Sequence, residues 1–182
     1  MHSTRRQILL GALGGLAASA WATRARADEA DAGGRWLDLT HAHTGESLHL
    51  PFRDASGTAI PESLVALRRL LRDFRAAEEH DIDVALYDQL HDLALAAGAD
   101  AHYEIICGYR SPATNEMLRE RGRGVAAHSM HLSGQALDVR LLGVRCETLG
   151  EIALAQARGG VGIYRGSDFV HLDTGRVRSW SG

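Results

Sequence analysis

The side chains best suited to chemistry in this sequence are its ten histidines. Two of them stand near carboxylates in segments that a strand would aim. His131 lies in the run Ser129-Met130-His131-Leu132-Ser133-Gly134-Gln135-Ala136-Leu137-Asp138, and His171 in Asp168-Phe169-Val170-His171-Leu172-Asp173. Gly134 lets the chain turn sharply enough to bring a loop-borne His131 to a strand-borne Asp138. Two imidazoles and a carboxylate form a donor set that suits Zn2+, with a fourth position left for water. Water held that way is far more acidic than bulk water, and a nearby carboxylate can remove its proton while the metal polarises a carbonyl. Asp168, three residues before His171, is the candidate base. Arg110, where a buried strand meets a loop, is the candidate to hold a substrate carboxylate or a developing oxyanion. On spacing alone, the competing reading is a trio of polar groups satisfied in the core without metal.

The combined pattern is more specific. Ser129-x-His131-x-x-Gly134-x-Ala136-x-Asp138, followed by Asp168-x-x-His171, resembles the zinc D-Ala-D-Ala carboxypeptidase and murein endopeptidase superfamily. That superfamily also includes phage endolysins and the hedgehog signalling domain. Gly108-Tyr109-Arg110-Ser111, Thr114-Asn115, Arg123-Gly124-Val125-Ala126, Gly159-Gly160-Val161-Gly162 and the run 169–175 are similar to its exported YcbK-type branch. With Thr44-Gly45-Glu46-Ser47-Leu48, the likeness covers most of 36–180. It implies that His131, Asp138 and His171 ligate zinc, that Asp168 is the acidic base and that Arg110 orients substrate. The implied fold is a small central antiparallel sheet flanked by helices. The implied reaction is hydrolysis of an amide in a peptidoglycan stem peptide or cross-link. Some members carry His-x-His at the final ligand; here Phe169 replaces the first of that pair, which leaves Asp168 as the sole nearby proton acceptor. The rival reading is a non-catalytic zinc-containing module that binds cell wall or a partner protein.

Other polar residues have plainer alternatives. Asp173 either fixes the tautomer of a ligand histidine, as Ser129 would support the other, or shapes the Asp173-Thr174-Gly175 turn. Cys107 and Cys146 border strands that could be neighbours, so a disulfide competes with two buried free thiols. No histidine is expected beside either, so neither reads as a nucleophile. His128 reads as a solvated loop residue, and His41, His43 and His49 as exposed polar residues more readily than a surface metal patch. The arginines in 119–123 read as a solvated helix end rather than a contact for polymer carboxylates.

Several elements must position these groups. Period-two alternation in 36–39 and 48–52 predicts an edge hairpin, since Pro51 cannot donate to a ladder. Leu64, Leu67, Leu71 and Phe74 at helical spacing predict a helix over 61–77, and similar spacing another over 83–97. A third helix is expected over 112–122 and a fourth over 147–158. Strands are expected over 103–107, 135–141, 161–164 and 169–173, the last two as a closing pair after a break at Gly159-Gly160. Mixed order with an antiparallel end makes the class α+β.

Composition narrows the function classes. The start of the chain, with Arg5-Arg6, an apolar stretch and Ala25-Arg26-Ala27, reads as a twin-arginine signal peptide over 1–27. A loose arm follows over 28–34 and the peptidase-like domain over 35–182. The apolar run is shorter and more diluted than a membrane span requires, so no stable anchor is expected. Without the four arginines of the leader, the net charge of −3 becomes −7, which argues against nucleic acid as a partner. Every cationic chain is arginine, which excludes lysine nucleophiles and Schiff bases. The expected partners are the twin-arginine export machinery and peptidoglycan stem peptides, the expected location is the periplasm or beyond, and a monomer is expected.

Overall fold

Alternation sets the two layers of the molecule. In β4 (Ala136–Leu141), Leu137, Val139 and Leu141 are buried in the core, so Asp138 and Arg140 face the other way. In β6 (Phe169–Asp173), Val170 and Leu172 join that core while Phe169, His171 and Asp173 take the opposite face. One face of the sheet is therefore apolar and the other carries chemistry.

The computed structural model describes residues 33–122 and 125–182; the expected leader over 1–27 and most of the arm over 28–34 lie outside them. Five further strands complete the sheet: β1 (Arg35–His41), β2 (Ser47–Arg53), β3 (His102–Cys107), β5 (Gly160–Tyr164) and β7 (Arg178–Ser181). The order is β2-β1-β3-β4-β6-β5-β7. Four pairings are antiparallel, while β1 runs parallel to β3 and β5 to β7. The α+β class holds, but the sheet is larger and more mixed than the expected antiparallel one, because β1 lies parallel to β3 and β7 returns parallel to β5. β2, which carries Pro51, is one edge of the sheet and β7 the other.

Four helices occur among the described residues: α1 (Pro61–Leu70), α2 (Val84–Ala96), α3 (Pro112–Glu120) and α4 (Cys146–Gln156). α1 packs on β2, α2 on β1 and β4, and α4 on β4, β5 and β6. They meet the apolar face through fully buried leucines such as Leu67, Leu86, Leu90 and Leu149, each contributing about 2 kcal/mol. No helix among the described residues is long and apolar enough to cross a membrane.

α1 ends seven residues earlier than its periodicity predicts. Tertiary hydrogen bonds outbid the helix: the Leu71 carbonyl accepts from Tyr109 N at 2.8 Å, and buried Asp73 accepts from Ser111 N at 2.9 Å and Ser111 Oγ at 2.8 Å. Phe74 consequently stacks on His43 and meets the edge of His41. Of the three hairpin histidines expected to be exposed, His43 and His49 are and His41 is not. His41 is buried, His43 lies on Phe74, and His49 stacks on Trp36.

Candidate metal centre

Pairing aligns the reactive residues in a single row across five strands. Cys107 stands opposite Asp138, Asp138 opposite His171, His171 opposite Gly162, and Gly162 opposite Trp180. The row begins with an irregularity. Strict alternation from Tyr103 and Ile105 would send Cys107 into the core, but the register shifts between Ile105 and Cys107. Such a bulge re-aims the following side chain.

His131 reaches this row from a loop. It sits in a short 3-10 turn, Met130–Ser133, that Gly134 closes with φ +65°. A side chain at 134 would also strike the Asp81 carbonyl, so only glycine fits there. His131 Nδ1–H donates to the Gly108 carbonyl at 2.7 Å, which leaves Nε2 facing Asp138 Oδ2 at 3.3 Å. His171 presents Nδ1 to Asp138 Oδ1 at 2.8 Å and Nε2 to Asp173 Oδ2 at 3.2 Å. The two rings meet edge to face with centroids 5.0 Å apart. All three side chains are buried.

The electrostatics call for a cation. Burial opposes charge on His131, but Asp138 beside it, with the Cys107 sulfur, holds its pKa well above the usual imidazole range. Burial would raise the Asp138 carboxyl, yet the two imidazoles keep it far below its ordinary value. Asp173, fully buried, is likewise depressed against the effect of burial by bonds from His171, Arg178, Gly160 N and Gly175 N. Positive charge between these groups stabilises them, whether it arrives as a proton or as a metal ion.

A cleft of about 560 Å³ opens over the row. Tyr164, Phe169 and Trp180 wall one side: Tyr164 stacks on Phe169 at 4.5 Å, and Trp180 Nε1–H donates to Tyr164 Oη at 2.9 Å. The Trp180 ring crosses β5 above Gly162, where a Cβ would approach it to 2.6 Å, and comes within 5.2 Å of the His171 ring. Arg178 crosses the same strand to bind Asp173 at 2.6 Å and 3.0 Å. Arg110, on the β3–α3 loop, lines the same cleft; it donates to Asn115 Oδ1 at 3.3 Å, and its buried Nε has no partner among the described residues.

The family profile described as Peptidoglycan L,D-endopeptidase MepK, of the M15 peptidases, matches residues 29–180. This chain belongs to that MepK family of zinc M15 peptidases. It shares 42% identity over 180 residues with Peptidoglycan L,D-endopeptidase MepK of Escherichia coli (strain K12), which spans 98% of this chain and 97% of the relative. The same figures hold for the Shigella flexneri protein of that name. A probable Peptidoglycan L,D-endopeptidase MepK of Haemophilus influenzae is 40% identical over 149 residues, 81% of this chain and 80% of the relative.

In this MepK-family chain the structure brings together His131, Asp138, His171 and Asp173, with Arg110 lining the same cleft. It does not bring Asp168 there. Asp168 is the left-handed residue (φ +50°) before β6; its carboxylate is 72% exposed and lies 3.9 Å from Arg140 Nε, beside the hollow that contains Cys146. Asp168 closes the 3-10 turn Arg165–Ser167 and lies outside β6, so strand alternation does not aim it at the row, and its left-handed backbone leaves the carboxylate beside Arg140. Ser129 lines the cleft but makes no side-chain cap, and His128 is exposed at its rim. Both cysteines are free: the bulge turns Cys107 toward His131 and Asp138, whereas Cys146 opens α4 on the core side. Cys107 therefore does have a histidine beside it, contrary to the sequence reading. Trp180 and Arg178 are the residues the sequence reading missed, and Cys107 entered it only as half of a possible disulfide or as a buried thiol. Alternation in Gly160-Val161-Gly162 and Arg178-Ser179-Trp180 carried a signal for Trp180 and Arg178: small residues on one strand leave room for large ones on its neighbour.

The donor set fits zinc. It offers two imidazole nitrogens whose other ring nitrogens are already engaged, and a carboxylate poised between them.

Proposed function

We propose that this chain is an exported, zinc-dependent endopeptidase that hydrolyses an L,D peptide bond in peptidoglycan. The observation that carries this reading is the convergence of His131, Asp138 and His171 in one buried cluster under an open cleft. Relatives bearing the name of a peptidoglycan L,D-endopeptidase narrow the bond. Zinc bound there supplies Lewis acidity and an acidified water. Asp173 and the Gly108 carbonyl hold the two imidazoles in the tautomers that direct a lone pair inward. Arg110 offers its unpartnered Nε–H to a stem-peptide carboxylate or to the developing oxyanion. Tyr164, Phe169 and Trp180 hold the apolar stretch of the peptide and exclude water from its flank. Apart from the ligands, His128 is the imidazole lining the cleft, and we assign it the transfer of a proton to the leaving amine. Arg5-Arg6 and the apolar stretch after them support export by the twin-arginine route to the periplasm or beyond.

One observation favours a second reading, the non-catalytic wall-binding module: the acid expected as base, Asp168, stands away from the ligands. Digestion of purified sacculi followed by mass analysis of the released fragments decides between them. Fragments cut at an L,D bond, and their loss on metal removal, are expected. Tight binding to sacculi without any released fragment establishes the module instead.

A further inference from the structure

We propose that Cys107 is a fourth protein donor to the metal held by His131, Asp138 and His171, an inference that rests on the metal reading above. Cys107 occupies the same cross-strand row as Asp138 and His171, turned there by the bulge in β3. Its Sγ, with one donor atom each from His131 and Asp138, forms a group in which all atoms lie within 4.8 Å of one another. The sulfur is engaged by polar neighbours, with Arg110 Nη2 at 3.4 Å and the Gly108 carbonyl at 3.6 Å. Arg110 itself is nine-tenths buried with Nε unpartnered, so this corner of the cleft is built polar and left incomplete by the protein alone.

When the sulfur ligates, the thiol proton passes to solvent, an S–metal bond forms and no electron is transferred. Four protein donors make a closed centre, whereas three leave a position for water. Arg110 Nη2 is the partner to which the sulfur returns, so the thiol is a displaceable donor and sets how much of the bound metal is open. A thiolate also tilts the centre toward soft ions, favouring Cd2+ over Zn2+ more than two imidazoles and a carboxylate do.

Cobalt(II) substitution of the purified full-length chain tests this without reference to turnover. The expected spectrum has visible ligand-field bands together with a near-ultraviolet thiolate-to-cobalt charge-transfer band. Cys146→Ser should keep that band. Cys107→Ser should lose it, keep the visible bands and bind cobalt at least about 10-fold more weakly. Visible bands without charge transfer in the unaltered chain overturn the Cys107 proposal and leave the three-donor centre standing, as does a charge-transfer band that survives Cys107→Ser. A chain that takes up no cobalt overturns both. Because the spectrum of the unaltered chain and of Cys146→Ser already decides the matter, it does not depend on whether Cys107→Ser folds.

Discussion

Opposite charges gather in two hollows on this molecule, and the larger hollow is the less reactive. Beside β1, β2 and α2, a hollow of about 730 Å³ holds Arg35, Arg53 and Arg158 around Asp88 and Asp92. Arg35 reaches both carboxylates at 2.5 Å, Arg53 grips Asp88 at 2.6 Å and 2.8 Å, and Arg158 meets Asp92 at 2.7 Å. Guanidinium keeps its proton at any working pH and has no lone pair for a metal. That cluster is complete as it stands and ties an edge hairpin to a helix. The cleft over β4 and β6 pairs its carboxylates with imidazoles, which can exchange a proton for a metal ion without moving. The identity of the base, rather than cavity size or the number of charges, separates a structural network from a reactive one.

Perturbing the two clusters should produce opposite signatures. The largest effect is expected from His171→Ala, which should abolish stoichiometric zinc binding by native mass spectrometry and reduce sacculus digestion at least about 10³-fold. A variant that still carries one zinc per chain would refute the ligand assignment. Arg110→Ala should retain zinc but lower kcat/KM by about 10²-fold, and Arg110→Lys should restore little of it, because a lysine cannot reproduce the planar fork. Full recovery with lysine would show that charge alone suffices.

Asp73→Ala targets the support of the Arg110 loop and should cost about 2–3 kcal/mol in denaturant unfolding, since it strands the Ser111 donors. Burial acts to raise the Asp73 carboxyl, but bonds from Thr114 and Ser111 outweigh it and hold it below its ordinary value. A depressed folded pKa stabilises fully above the unfolded value near about 3.9 and loses that contribution as pH falls through the folded value. The stability gap between the parent and Asp73→Ala should therefore be constant near neutrality and close on acidification below about pH 4. A gap that widens in acid would reverse the assignment.

In the other hollow, Asp88→Asn should cost about 1 kcal/mol, discounted for its partial exposure, with metal content and turnover unchanged. The smallest effect is expected from Asp168→Ala. With its carboxylate exposed and 3.9 Å from Arg140, away from the ligands, it should leave digestion within about 2-fold of the parent, as surface substitutions do. A large loss of activity would mean that Asp168 swings into the cleft when substrate binds.

Legibility in the sequence followed how local each cause was. The spans of α2 and α3 were readable because their causes are local, as the structure also shows in their caps, where Asp83 accepts from Ala85 N and Ser111 from Thr114 N. The inward face of β4 was readable from alternation. The end of α1 was not, because it depends on bonds from Tyr109 and Ser111, about forty residues away. Nor was β7, a four-residue strand whose pairing with β5 no local pattern demands.

The amino-acid sequence by itself determined the chemical inventory: imidazoles and a carboxylate at spacings that a turn and a strand convert into a metal site, with an arginine at a strand end to receive charge. Tertiary structure decided which way each side chain faces. A single irregular residue in β3 carries Cys107 from the core to His131 and Asp138, the left-handed turn before β6 leaves Asp168 beside Arg140 instead, and two glycines in β5 let Arg178 and Trp180 reach across to Asp173 and His171. Facing depends on strand register, and register is a property of pairs of strands that the chain brings together only on folding.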